Sequence, residues 1–211
     1  TGGMWLLGAL GVWDEAMQSL AIVLVSVGVC AIFGVPLGIA MAKSAMVRRL
    51  LSPVLDLMQT IPSFVYLIPV AMLLGLGKVP AILATVVYAL PPLIRLTDLG
   101  LRLIEQELLE AADAFGATAM QRLVSVELPL AAPNILQGIN QTTMMALAMV
   151  VIASMVGAPG LGQTALEGLQ RADVGKGLVG GLSIVLLAIV LDRITQAFGT
   201  RRLTSRGDDT K

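Results

Sequence analysis

The chain has 211 residues, 56% of them hydrophobic and 13% charged, with a mean hydropathy of +0.87, which is too apolar for an ordinary soluble domain of this length. Basic and acidic residues balance at 14 each, so net charge points to neither a nucleic acid nor an acidic partner. A single cysteine, Cys30, cannot form an intrachain disulfide, and a chain without histidine lacks the ligands of the usual zinc and iron sites and the base of a His-activated nucleophile.

A helix that crosses the hydrocarbon core needs about 20 predominantly apolar residues. Five runs meet that requirement, which predicts an all-α polytopic membrane protein with about five transmembrane helices in the lipid bilayer. Residues 1–18, with Trp5, Trp13, Asp14 and Glu15, read as an external or interfacial segment. No basic stretch with a small-residue cleavage site follows Thr1, so no signal peptide is expected, and residues upstream of Thr1 are left open. The first span covers residues 19–42 and stops at Lys43, and the second covers 54–76 and stops at Gly77 and Lys78. The third, 79–96, follows so closely that a tight hairpin is expected, with Pro80 in the first turn where its missing N–H is tolerated. A long segment, 97–129, separates it from the fourth span, 131–156. A glycine-rich loop, 157–177, leads to the fifth span, 178–198, and a polar tail, 200–211; residues 19–199 form the transmembrane domain.

Lys and Arg are retained on the cytoplasmic side of membrane proteins. Lys43, Arg48, Arg49, Arg95, Arg102, Arg122, Arg193, Arg201, Arg202, Arg206 and Lys211 fall on one side of the predicted spans, against Lys78, Arg171 and Lys176 on the other. The asymmetry places the N-terminus outside, the C-terminus inside and the 97–129 loop in the cytoplasm. Asp192 and Arg193, near the inner end of the last span, are expected to snorkel or to pair with each other.

The cytoplasmic loop runs from Glu105 through Glu110-Ala111-Ala112 and Gly116 to Thr118, Gln121, Val126 and Leu128-Pro129. Its alanines favour helix, Gly116 suits a helix end that needs positive φ, and Thr118 with Gln121 has capping-box spacing. Two short helices with a break between them are expected. Glu110-Ala111-Ala112, then Gly116, then Val126 and Leu128-Pro129 at their spacing, resembles the EAA signature of binding-protein-dependent ABC importer permeases, with Val126 where isoleucine is usual. The resemblance extends over nearly the whole chain through Met58–Pro69, Ala89–Thr97, Gly138–Leu147 and Val151–Met155, and is closest to the glycine betaine/proline betaine, or quaternary ammonium, subgroup.

That resemblance implies a permease that binds no cofactor itself and catalyses no bond chemistry. Implied partners are ABC ATPase subunits that hold ATP and Mg, a second permease copy, and an extracytoplasmic solute-binding protein. Carried over residue by residue, Glu110, Ala111, Ala112, Gly116 and Thr118 become the ATPase-coupling set. Glycine betaine is the implied cargo, with choline, trimethylamine N-oxide or an amino acid as alternatives within the class. An autonomous secondary transporter or channel would need ionisable couplers inside the spans. Apart from Asp56 and Arg95 near inner ends and the Asp192-Arg193 pair, the spans have none.

Irregular backbone at membrane depth is tolerated where protein or a water-filled cavity satisfies it, so prolines within spans mark possible solute sites. Pro62 and Pro69 interrupt the second span, and Pro91-Pro92 is expected to kink or end the third. Gln59, Thr60, Ser63, Phe64, Tyr66 and Tyr88 surround them as candidate pathway residues, a helix-packing kink being the competing account. Asn140 and Gln141, beside Thr142 and Thr143, either line the pathway or join helices by hydrogen bonds. Cation–π cages hold quaternary ammonium groups, but two Trp, two Tyr and four Phe are too few for a cage within the spans. High affinity therefore belongs to the binding protein. Met144, Met145, Met149 and Met155 read as packing, with a flexible constriction as the alternative. The Gly157–Gly162 turn and the helix expected over 163–170 offer a docking surface for the binding protein or serve as a plain connection; the turn lacks the Gly-Lys-Ser/Thr ending of a phosphate loop.

Overall fold

The computed structural model describes residues 7–8, 10–154 and 157–204, the side chains of 198–204 excepted. Trp5, Met155, Arg206 and Lys211, on which parts of the sequence reading rested, lie outside the described residues, as do the side chains of Arg201 and Arg202. The described residues are helical throughout, with no strand among them.

Helix α1, Trp13–Lys43, starts earlier than the predicted first span and takes in Trp13 to Met17 of the segment read as interfacial. Ser44 ends it in extended conformation and caps the next helix, α2, Ala45–Thr60, by accepting a hydrogen bond from the Val47 N–H at 3.4 Å. The second span is broken: α2 meets α3, Ser63–Leu74, at 91°, so 54–76 is not one straight crossing. Proline geometry accounts for the bend. Pro62 bars Ile61 from helical conformation and cannot donate to the Met58 carbonyl four residues back. The Tyr66 hydroxyl donates to that carbonyl instead, at 2.9 Å, and fastens the corner.

Helix α4, Lys78–Arg102, runs through Pro91 and Pro92 without ending, so of the two expectations, a kink or an end, the end is excluded. Both prolines are buried between neighbouring helices, whose packing holds the helix where two ladder bonds are missing. α4 is the centre of the fold: half of its apolar window is buried, against 22% for the last helix. α1 packs along one side of it and α6 along another, burying Leu93, Ile94 and Ala89. Close approach depends on residues without a side chain. A Cβ built on Gly38 of α1 would stand 2.5 Å from Thr97 Cβ and 2.9 Å from the Ile94 carbonyl of α4. One on Gly100 of α4 would stand 2.7 Å from Asn134 Cβ of α6.

After α5, Gln106–Ala114, comes α6, Ala119–Ser154. The expected second loop helix is thus no separate element, because it continues into the fourth span through a wide π-turn at Leu123–Glu127. α7, Leu161–Gln170, folds back on α8, Val174–Thr204, and the Leu161 N–H is tied to Ser19 Oγ of α1 at 2.9 Å. Four helices, α1, α4, α6 and α8, are each long and apolar enough to cross a membrane, and the bent α2–α3 pair makes a fifth crossing if counted as one.

Gly38→Val would force a branched side chain into the α1–α4 contact, and overpacking of this kind typically costs about 1–3 kcal/mol. Gly28→Ala, on the same helix, meets nothing within 4 Å. Thermal inactivation of the detergent-solubilised protein is expected to come several degrees earlier for Gly38→Val and to stay at the wild-type temperature for Gly28→Ala. Equal behaviour of the two variants would contradict close packing at Gly38.

Candidate functional site

At the end of the bundle that gathers most Lys and Arg, α5 packs against the start of α6. Gln106 donates to Glu110 Oε1 across one turn at 3.0 Å, and Glu110, Ala111 and Phe115 are exposed while Ala112 is half-buried. The helix stops by a Schellman motif. Gly116 has φ +77°, its N–H donates to the Asp113 carbonyl at 2.9 Å, and the Ala117 N–H donates to the Ala112 carbonyl at 3.2 Å. One residue later Thr118 begins α6 with a complete capping box. Its Oγ1 accepts from the Gln121 N–H at 3.3 Å, and its own N–H donates to Gln121 Oε1 at 2.9 Å. Sequence spacing foretold both devices. The turn leaves Phe115 93% exposed, with Met120 and Leu108 also uncovered, so an apolar tip projects from the bundle.

Behind α5 lies a cleft of about 420 Å³ that is lined by Lys43, Arg102, Glu110, Asp113, Arg122 and Glu127 among others. Glu127 is almost fully buried, and its carboxylate accepts from Lys43 Nζ at 2.6 Å and from Arg122 Nε at 3.1 Å. Arg122 also donates from Nη1 to both Asp113 oxygens, at 2.8 and 2.6 Å. A second cluster joins Arg48 to Asp98 at 2.8 Å, with Arg102 at 3.7 Å from the same carboxylate, and Asp56 pairs with Arg95. Sequence analysis did not single out these pairings. Its available signal was a carboxylate, Asp98 or Glu127, set against an apolar run, where a charge needs a partner.

The candidate pathway residues do not converge on one pocket. Gln59, Thr60, Ser63 and Phe64 cluster at the α2–α3 corner, where Thr60 Oγ1 donates to the Leu57 carbonyl at 3.1 Å. Tyr66 commits its hydroxyl to that corner, and Tyr88 packs against a small core of Leu67, Ala84 and Met149. Asn140 turns to α8: it accepts from Thr195 Oγ1 at 2.5 Å and donates to Asp192 Oδ1 at 3.4 Å. Asp192 also accepts from Gln196 at 2.7 Å, so its carboxylate is paired with two side-chain amides. Gln141 is exposed, whereas Thr142 and Thr143 are buried. Met149 is fully buried, and Met144 and Met145 pack against the main core, which agrees with a filling role.

At the opposite end, Lys176 Nζ lies 2.5 Å from Glu167 Oε2 and holds the Glu167 carboxyl below its ordinary range by hydrogen bond and charge, with Arg171 adding to the effect. A lowered carboxyl pKa stabilises the fold above its unfolded value and loses that contribution as pH falls through the folded one, so this clasp is intact at neutral pH. No group of three or more Asp, Glu or Cys able to hold a metal ion occurs among the described residues.

Membrane-length helices packed about α4, with a broken span beside them and a helical loop at the basic end, define a polytopic membrane protein. The chain belongs to the family described as binding-protein-dependent transport system inner membrane component, which residues 34–204 match. It is 52% identical over 96% of its length to the glycine betaine/proline betaine transport system permease protein ProW of Escherichia coli, and spans 57% of that protein's length. It is 50% identical over 94% of its length to the glycine betaine/carnitine transport permease protein GbuB of Listeria monocytogenes, and spans 71% of that protein. In fold it resembles a chain of the inward-facing MetNI methionine ABC transporter, with a TM-score of 0.77, 27% identity, and coverage of 94% of this chain and 97% of that one.

Gly116→Val would place a branched residue at φ +77°, where no neighbour lies within 4 Å of the added Cβ, so the penalty is one of backbone conformation alone. At about 1–2 kcal/mol this should speed hydrogen exchange across α5 roughly ten-fold, with Gly116→Asn close to wild type. Unchanged exchange in Gly116→Val would contradict the Schellman assignment.

Proposed function

We propose that this chain is the permease subunit of an ATP-binding-cassette importer and moves a small quaternary-ammonium solute, glycine betaine first among them, into the cell by alternating access. The observation that carries the mechanism is the loop helix α5, closed at its C-terminus by the Gly116 turn and bearing Glu110-Ala111-Ala112 with the exposed Phe115 at its tip. Small side chains let such a helix enter a cleft of a partner ATPase, and the Gly116 turn sets its angle against α6. Glu110, Ala111, Ala112, Gly116 and Thr118 are the coupling residues in this account. ATP and Mg bind to the ATPase, whose closure pushes α5 and reorients the spans.

Orientation follows the Lys and Arg asymmetry: the loop and the C-terminus are cytoplasmic, and α7 with the glycine-rich turn faces outward to an extracytoplasmic binding protein. A second permease copy completes the pathway. Similarity over nearly the whole chain to permeases named for glycine betaine supports the cargo. Physical chemistry agrees in one respect. A zwitterion without net charge needs no fixed counter-ion, and the candidate residues Gln59, Thr60, Ser63, Phe64, Tyr66, Tyr88 and Gln141, though not gathered in one pocket, carry no charge. Asn140 lies at the edge of this set, held to α8.

The complete complex in proteoliposomes with internal ATP, offered labelled glycine betaine, choline, trimethylamine N-oxide and methionine separately, should accumulate glycine betaine in preference to the others. Accumulation of methionine alone would contradict the cargo and leave the permease assignment standing. A strong preference for choline or trimethylamine N-oxide would keep the ammonium class and replace the named solute.

A further inference from the structure

The proposed function gives α5 a push to deliver but does not say which atoms carry it into the spans. Three elements meet at one guanidinium and one buried carboxylate. Arg122, in the first turn of α6, donates from Nε to Glu127 and from Nη1 to both oxygens of Asp113 on α5. Glu127 in turn accepts from Lys43, the last residue of α1, and only 3% of its side chain is exposed. The run Asp113, Arg122, Glu127, Lys43 is therefore an unbroken chain of charged hydrogen bonds from the loop helix to the end of the first span.

The π-turn is what closes this chain. Arg122 and Glu127 are five residues apart, which on an α-helix separates them by about 140° around the axis. Between Leu123 and Glu127 the helix widens, and the Leu128 N–H bonds to the Leu123 carbonyl five residues back, a spacing that brings residues five apart onto one face. Such a turn replaces the favoured hydrogen-bond pattern at the junction of loop and span, and here its product is the Arg122–Glu127 contact. Lysine at 122 would offer a point charge in place of a planar fork that reaches two carboxylates on two elements.

We propose that Glu127, held by Lys43 and Arg122, is a positioning residue that makes α5 and the inner ends of α1 and α6 move as one body. Asp113 carries a displacement of α5 to Arg122 and so to the start of α6, and a shift of α6 that left α1 behind would take Lys43 away from a buried carboxylate, which is far less favourable than carrying α1 along. The Arg48–Asp98–Arg102 cluster ties α2 to α4 at the same end, but no ion pair joins it to Glu127 among the described residues. It is a separate fastening.

This inference rests on the proposed ABC importer function, and its test is made in the same reconstituted complex of permease, ATPase and binding protein, with glycine betaine as the transported probe. The quantity measured is solute moved per ATP hydrolysed, in complexes purified with wild-type subunit stoichiometry. Lys43→Met, Glu127→Gln and Arg122→Lys are each expected to lower that ratio about ten-fold, and Lys43→Met combined with Glu127→Gln should be no worse than either alone, because both break one chain. Wild-type coupling in Lys43→Met or Glu127→Gln, or losses that multiply in the double variant, would overturn the proposal. Should Glu127→Gln fail to reach the membrane, Lys43→Met and Asp113→Asn, at the more exposed ends of the chain, decide the matter in the same way. A wild-type complex that neither assembles with the ATPase nor transports would overturn both the function and this inference, whereas a working wild type with fully coupled variants removes the inference alone.

Discussion

Close backbone contact between α4 and its two neighbours is the constraint on which the rest of this structure depends. Lipid tails are as apolar as leucine, so membrane helices gain nothing by hiding apolar side chains from water and associate instead through tight packing and hydrogen bonds. Gly38 on α1 and Gly100 on α4 remove the side chains that would hold the backbones apart. Once α1, α4 and α6 are locked, their ends beside α5 lie at fixed separations. Lys43, Asp98 and Glu127 can then meet partners from other elements rather than water.

Proline creates the second feature of the bundle, the broken span. Pro62 takes a donor away from the Met58 carbonyl and Tyr66 restores one, so the corner between α2 and α3 is held by a side chain where a ladder bond is missing. In an apolar medium an unpartnered carbonyl is costly, which gives the hydroxyl a structural duty that a search for solute contacts would misread. The same caution applies to Asn140. Its amide is occupied by Thr195 and Asp192 of α8 and serves first to join helices.

Much of this was legible in the residues. The four long spans follow from apolar run length, the loop helix from its alanines, its C-terminal end from Gly116 and the start of α6 from the Thr118–Gln121 spacing, since these signals are local and each specifies its own hydrogen bonds. Three features were not legible. Pro91-Pro92 left a kink or an end open, and the helix continues because neighbouring helices override the local penalty. The loop's second helix looked separate from the fourth span, because a π-turn leaves no distinctive residue pattern. Ion pairs such as Lys43–Glu127, 84 positions apart, depend on how three helices pack and cannot be read from any window of sequence. Candidate pathway residues were chosen for polarity near prolines, a criterion that does not separate side chains facing a lumen from those repairing a backbone.

The central claim is that α5 docks in a partner ATPase. With Ala111→Cys in a Cys30→Ser background, a short photo-activated cross-linker attached at position 111 is expected to join the permease covalently to the ATPase subunit in native membranes. A permease that co-purifies with the ATPase and carries the label at position 111, yet forms no adduct with it on illumination, would contradict the account.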